Sequence, residues 1–256
     1  MTGRFLLPLF LSLALLGCEK RRGPVSLTLV SYNVGVFSKY QDNSLPAVAE
    51  VIRATGASFV ALNELDSCNR RHGTYQLREL AEEMGDWSYQ FASAFPYAGG
   101  AYGNGVISRD KPVSRYKVHL PKSDGSEPRS IAVVETQACV FASVHLDYVG
   151  ERSQLDQVEA LNHWFEACYA DVRKPVFLCG DFNAEPDSET IRLMQESWTL
   201  LSGTGFTYST TNPRKCIDYV FAYQKAAPVK VLSSQVLMTG TETLSDHFPV
   251  LVNVEF

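Results

Sequence analysis

Apolar and polar positions along this chain repeat with two different periods, and the period changes at glycine, proline and aspartate. Ser26 to Val34, SLTLVSYNV, alternates and ends around Asn33, so it reads as a strand with an amide at its tip. Leu45, Val48, Ala49 and Ile52 recur at helical spacing before Gly56, which predicts a helix over Leu45 to Thr55. Ala57 to Leu62 is a second apolar strand, and it stops at Asn63 and Glu64. If the two strands are parallel across that helix, Glu64 lies on the same side as Asn33. Leu77, Leu80, Ala81 and Met84 then mark Thr74 to Met84 as a surface-packed helix.

Strand-like runs follow over Trp87 to Ala94, Gly105 to Arg109, Val113 to Leu120, Arg129 to Thr136 and Cys139 to His145, and together they read as an antiparallel meander. The glycines of GGAYGNGVISR imply close backbone packing or a loop beside a ligand; an ordinary turn is the simpler account of Tyr102 and Asn104. Glu151 to Tyr169 is the longest expected helix, turning Leu155, Val158, Leu161, Phe165 and Cys168 toward the core. Its Arg152 and Gln157 either reach back to neighbouring loops or are solvated. Pro175 opens a buried strand to Cys179, Gly180 reads as a sharp turn, and Asp181 and Asn183 follow it. Such a pair can orient water or hold a phosphate oxygen, although Gly, Asp and Asn also form Asx-rich turns with no chemistry attached. Asp187 and Ser188 are candidate caps for a helix over Glu189 to Gln195. Ile217 to Tyr223, beginning with Asp218, Pro228 to Met238, and Val250 to Phe256 complete the strands, and Asp246 and His247 stand just before the last.

Composition narrows the class. With 256 residues, 45% hydrophobic and 20% charged, the chain has the make-up of a soluble globular protein with a substantial core. Its net charge of -5 counts against tight, sequence-independent nucleic-acid binding, and no stable nucleic-acid partner is expected. A nuclease is not excluded, because a metal and a few arginines can hold one phosphate. Arg4, the apolar run Phe5 to Leu16, Gly17 and Cys18 describe a secretory signal too short to span a bilayer as a mature helix. Leu15 to Cys18, LLGC, resembles a bacterial lipobox, in which Cys18 is acylated; that implies an exported protein lipid-anchored at a bacterial membrane. Residues 1–18 are then signal and lipidated cysteine, 19–24 a tether, and 25–256 one domain. Cys68, Cys139, Cys168, Cys179 and Cys216 lack the close spacing of a disulfide framework or zinc site. Cys139 and Cys179 read as small core residues, and Cys68 with Cys216 is the pair to test for a disulfide.

Asn33, Glu64, His145, Asp181, Asn183, Asp218, Asp246 and His247 all stand at ends of expected strands. In the order YNV, NELD, SVHLD, GDFN, IDYV and SDHFP they resemble the endonuclease/exonuclease/phosphatase superfamily over nearly the whole mature chain. The resemblance implies a four-layered α/β sandwich, two mixed sheets face to face with helices outside and the site at one edge. It implies Mg²⁺, with Mn²⁺ as an alternative, at Glu64 assisted by Asn33 and Asp246, since hard oxygen ligands suit that ion. By the same resemblance, His247 with Asp181 would activate the attacking water, Asp218 would orient the imidazole, Asn183 would steady the water or phosphoryl oxygen, and a protonated His145 would place charge beside the phosphate. Arg129, in EPRS, and Asn104, in the glycine-rich strand, are substrate-binding candidates. His145 stands where the abasic-site endonuclease branch carries Tyr, so the chain is nearer the deoxyribonuclease, sphingomyelinase and inositol phosphatase branches.

The function these features imply is hydrolysis of a phosphoester, foremost a phosphodiester, by attack of an activated water. A secreted nuclease and a non-catalytic phosphate-binding module on the same scaffold are the alternatives. A zinc hydrolase is disfavoured because no HExxH or close His cluster is present. Substrate choice falls to loops such as Asn69 to Gly73 and Pro96 to Tyr102, where Arg70, Arg71 and His72 either meet an anion or form a solvated basic turn. The sequence gives no reading of oligomeric state.

Overall fold

The structure, a computed structural model, describes residues 23–123 and 126–256. The signal segment, Cys18 and the first part of the expected tether lie outside the described residues. The chain forms β1 (Ser26–Asn33), α1 (Leu45–Thr55), β2 (Phe59–Ser67), α2 (Gln76–Glu83), β3 (Ser88–Tyr97), β4 (Gly100–Ser108), β5 (Ser114–His119), β6 (Ser130–Glu135) and β7 (Val140–His145). It continues through α3 (Glu151–Tyr169), β8 (Val176–Asp181), α4 (Glu189–Gln195), β9 (Trp198–Leu200), β10 (Asp218–Tyr223), β11 (Lys230–Val236) and β12 (Val250–Glu255).

Two strand, helix, strand units set the architecture. In the first, α1 carries the chain from β1 to a parallel β2, with Asn33 opposite Asn63. In the second, α3 carries it from β7 to a parallel β8, with His145 opposite Asp181. Antiparallel strands extend each pair into a six-stranded sheet, ordered β11-β12-β1-β2-β4-β3 and β5-β6-β7-β8-β10-β9. Apolar side chains on the inner faces, among them Leu29, Phe59, Val252, Phe141, Phe177 and Val220, fuse the sheets into one core, with the Phe59 and Phe141 rings stacked at 5.2 Å. The outer faces are covered separately: α1 and α2 bring Val48, Ile52, Leu77 and Leu80 onto the first sheet, and α3 and α4 bring Val158, Leu161, Phe165 and Met194 onto the second. This is the expected four-layered α/β sandwich, and the central strands β7, β8 and β10 bury both faces because the second sheet is covered on both sides.

Several expectations are corrected. The five-strand meander is two pieces: β3 and β4 pair in the first sheet, while β5, β6 and β7 pair in the second. Period-two alternation identifies a strand and not the sheet it joins, and the chain changes sheets at Arg109–Val113, where Pro112 cannot donate to a ladder. Gly180 is the penultimate residue of β8 rather than a turn. A Cβ there would collide with the Val144 carbonyl of the parallel neighbour, and its φ is +150°. Cys168 is exposed, and the inward phase set by Val158, Leu161 and Phe165 continues to Tyr169. Cys68 and Cys216 are free thiols like the other three described cysteines; they follow β2 of one sheet and precede β10 of the other. Cys139 and Cys179 are core residues, as expected.

Ser188 caps α4, its Oγ accepting the Ile191 N–H at 3.2 Å. Ser188→Ala removes that acceptor from a short helix and is expected to cost about 1 kcal/mol, read as a lowered urea midpoint with unchanged m-value.

Candidate active site

The parallel strands β1, β2, β7 and β8 all end at one edge of the sandwich, which brings the tips carrying Asn33, Glu64, His145 and Asp181 together. β10 runs antiparallel to β8 and so begins at this edge, with Asp218 opposite Asp181. The segment entering β12 adds Asp246 and His247, and Asn183 follows β8 directly. His145 Nε2 lies 3.5 Å and His247 Nε2 3.7 Å from the same Asp181 oxygen, Oδ2. His247 Nδ1 is 2.9 Å from Asp218 Oδ2. His247 thus lies between Asp218, which it contacts through Nδ1, and Asp181, which its Nε2 faces.

Burial controls the charges. Asp181 is fully enclosed, and desolvation followed by the neighbouring Asp218 pushes its carboxyl well above the usual carboxylate range, against His247, Asn33 and the Asn183 N–H. Desolvation also opposes a charge on His247, but Asp218, Asp181 and Asp246 outweigh it and hold the imidazole protonated. His145 goes the other way: burial, then Arg129 and His247, hold it far below the ordinary imidazole range. It is therefore neutral, and the positive charge expected of it comes from His247 and Arg129. The Arg129 guanidinium, which can only donate, points Nη1 at His145 Nδ1 at 3.4 Å, so Nδ1 accepts and Nε2 carries the proton, facing Asp181.

Asn33, expected to assist at the metal, has its amide held by protein partners. Its Nδ2 donates to Glu64 Oε1 at 3.2 Å and Asp181 Oδ2 at 3.0 Å, and its Oδ1 accepts the Gly35 N–H at 3.1 Å. Two carboxylate acceptors on one side and an N–H donor on the other fix the amide's orientation. Asn33 thus ties the Glu64 end of the site to the Asp181 end. Asn104, expected at the substrate, is buried behind the cleft: its Nδ2 donates to the Ser143 carbonyl at 2.6 Å and its Oδ1 accepts from Ser130 at 3.3 Å. It joins β4 to the facing sheet. Tyr102, two residues earlier, lines the cleft instead.

Two positioning residues carried no signal as such in the sequence. Asn63 donates to the Val144 carbonyl at 2.8 Å and accepts the Asp181 N–H at 3.0 Å, clamping the two sheets where Asp181 stands. Gln154 donates to the carbonyls of Asp147 and Asn183 at 2.8 and 2.9 Å, while Gln157 accepts the Asp147 N–H at 2.9 Å. An inward-facing polar residue on α3 was the available clue, and Gln157 gave it. Arg152 pairs with Asp156 on the exposed helix face.

Glu64 itself has φ +56°, at a shift in the β2–β4 register between Leu62 and Leu65. A bulge of this kind re-aims one side chain, and here it turns Glu64 into the cleft. The turn is braced from behind: Arg71 donates to Asp66 through Nε at 2.7 Å and Nη2 at 2.8 Å, and lies 4.7 Å from the centre of the Tyr97 ring. Burial works against a charge on Asp66, and hydrogen bonds from Arg71, His72 and Asn69 overcome it, holding the carboxyl below its usual range. Arg71 and His72 are therefore bound to Asp66 rather than forming a solvated turn.

The cleft measures about 750 Å³ and is lined by Lys39, Glu64, Arg129, His145, Asp181, Asn183, Asp246 and His247. Asn33 and Asp218 lie behind these and set their geometry. Two groups of metal-binding atoms meet here. Asp181, Asp218 and His247 offer ligand atoms within 4.8 Å of one another. Asp181 and Asp218 both face the His247 imidazole, whereas Glu64 and Asp246, the latter paired with Lys39, present carboxylates of the hard-oxygen type that suits a hydrated divalent ion. The donor set at that end of the cleft fits such an ion.

Paired sheets whose strand tips converge on a buried Asp–His–Asp group and cleft-lining carboxylates define a phosphoester-hydrolase scaffold. The chain belongs to the endonuclease/exonuclease/phosphatase family, whose model matches residues 30–247. Among solved structures it is similar to the mannosyl-6-phosphatase of Bacteroides thetaiotaomicron VPI-5482, at 18% identity and TM-score 0.74 over 90% of this chain and all of that one. It is also similar to ANGEL2, a 2′,3′-cyclic phosphatase, at 14% identity and TM-score 0.69 over 91% of this chain and 95% of that one. The human Nocturnin catalytic domain with bound sulfate matches at 17% identity and TM-score 0.70, over 91% of this chain and 96% of that one. No curated protein sequence matches the chain.

Proposed function

We propose that the chain hydrolyses a phosphoester, foremost a phosphodiester, with Mg²⁺ as cofactor and Mn²⁺ as a substitute. The observation that carries this is the convergence of His145, Asp181 and His247 on one point of a cleft that Glu64 and Asp246 also enter. Glu64 and Asp246 would hold the metal, which when bound would supply positive charge beside the phosphoryl oxygens and make a neighbouring water more acidic. Asp181 accepts the water's proton, and Asn183 steadies the water. His247, kept charged by Asp218, and Arg129 offset the negative charge that develops on the phosphoryl group. His145 donates its Nε2–H toward the same oxygens. Asn33 acts through Glu64 and Asp181, which it holds in register.

The rim favours a small or lipid-linked ester over a long nucleic acid. Glu127, Glu151, Glu185 and Asp187 line it, against Lys39, Lys215 and Arg129. A continuous phosphate backbone meets like charge there, whereas one phosphate bearing neutral hydroxyls meets hydrogen-bond acceptors. The similarity to a mannosyl-6-phosphatase adds sugar phosphates to the esters worth testing. On the strength of residues 1–18, the enzyme is also proposed to work from a lipid anchor at Cys18, outside the bacterial inner membrane.

A panel tests the reaction: bis-p-nitrophenyl phosphate, p-nitrophenyl phosphate, mannose 6-phosphate, glycerophosphocholine, sphingomyelin vesicles and single-stranded DNA, with Mg²⁺, Mn²⁺ or EDTA. Diester hydrolysis that EDTA abolishes, Mg²⁺ restores and Asp181→Ala eliminates is the expected result. Inactivity on every ester with either ion would leave the phosphate-binding module.

A further inference from the structure

Among the described residues, Lys39 is the one Lys or Arg paired with a carboxylate of the expected metal end, and the backbone is shaped to bring it there. Its Nζ lies 2.7 Å from Asp246 Oδ2, with the lysine side chain 43% exposed and the aspartate 9%. Glu64 and Tyr208 are the other acidic groups whose field it feels. Between the tip of β1 and Lys39, three successive residues, Gly35, Val36 and Phe37, have φ of +51°, +51° and +55°. That conformation is an outlier for a β-branched or bulky residue and persists only where the surroundings impose it. It turns the chain so that the Lys39 side chain lines the cleft. Gly35 leaves space for the lysine stem: a Cβ there would come within 3.2 Å of Lys39 Cβ and 3.4 Å of Ser245 Oγ.

We propose that Lys39 is a built-in counter-cation: it neutralises Asp246 until a divalent ion takes that carboxylate, and the released ammonium then meets a phosphoryl oxygen of the substrate. The inference rests on the metal-dependent reaction proposed above. An ammonium on Asp246 and a divalent ion on Asp246 repel each other, so the lysine weakens ion binding while no phosphate is present. Once an ester or phosphate enters, the same ammonium has an anion to pair with and favours the loaded state. The lysine stem is long and half in solvent, so the exchange needs only side-chain rotation. Lys39 thus couples occupancy by the ion to occupancy by the phosphate.

The test is calorimetric and independent of turnover. MnCl2 is titrated into the full chain without phosphate, as wild type, Lys39→Met and Lys39→Arg; inorganic phosphate is then titrated into the Mn²⁺-loaded proteins. Lys39→Met is expected to bind Mn²⁺ about tenfold tighter, the electrostatic gain being reduced by solvent screening at a half-exposed group. It is expected to bind phosphate several-fold more weakly, and Lys39→Arg to return both constants toward wild type. A side chain that only braced the loop would shift both affinities in the same direction. Equal or weaker Mn²⁺ binding in Lys39→Met, or unchanged phosphate affinity, overturns the inference while leaving metal-dependent hydrolysis in place. Absence of Mn²⁺ binding in all three proteins overturns both.

Discussion

Asp181→Asn is expected to lower kcat by roughly three orders of magnitude on whichever ester the chain hydrolyses, with KM changed far less. The substitution keeps the size of the side chain and removes the proton acceptor. It also misplaces a donor, because the two Asp181 oxygens accept from the Asn183 N–H at 2.9 Å and from Asn33 Nδ2 at 3.0 Å, and an amide presents only one acceptor atom. The fold should survive, since burial already disfavours the carboxylate. Stability against pH separates this from a folding defect. The folded-state pKa values of Asp181 and His247 are both raised, so the native chain holds these protons more tightly than the unfolded one. The stability they contribute is fully present below the ordinary carboxylate range, and falls as pH rises through that range and on past the ordinary imidazole range. In Asp181→Asn the carboxylate part of that slope disappears, leaving the metal-free protein flatter than wild type between mildly acidic and neutral pH. Urea midpoints across that interval give the comparison; a slope identical to wild type would mean that Asp181 does not hold its proton in the native state.

Much of the frame was readable because it depends on short-range periodicity. The strand, helix, strand unit from Ser26 to Leu62 appears as two parallel strands joined by α1, and the same logic places Asp181 beside His145 through α3. Strand tips were therefore the right places to look for polar chemistry. What periodicity could not supply were contacts between segments distant in sequence. Asn63 ended an apolar strand just as Glu64 did, yet only the facing sheet, supplying the Val144 carbonyl and the Asp181 N–H, reveals its use as a clamp. Asn104 looked like a ligand for the same local reason, and the same facing sheet turns it into a bracket. Lys39 sits in a turn with no amphipathic pattern, so nothing local distinguished it from a solvated lysine. Glutamate seldom occupies the left-handed conformation, and the backbone that aims Glu64 was for that reason invisible to residue-type arguments.

Gly180→Ala is the second substitution expected to be severe, and a control separates its two causes. Gly180 combines a φ of +150° with a Cα pressed against the Val144 carbonyl, so alanine meets backbone on the neighbouring strand. Backbone cannot rotate aside as a side chain can. The strands β7 and β8 would have to separate at the register position next to His145 and Asp181, loosening the pairing that holds the proton acceptor. Gly56 makes the contrast: at φ +68° it caps α1 with nothing near the site of an added Cβ. Gly56→Ala therefore suffers the left-handed penalty alone, about 1 kcal/mol, with activity unchanged. Gly180→Ala adds steric overlap in a fully buried strand and should exceed about 4 kcal/mol, the range in which a single substitution identifies its own mechanism. Denaturant midpoints for the two variants, measured beside turnover, decide it: similar losses in both would show that the β7–β8 pair has room at Gly180 and that conformation alone selects glycine there.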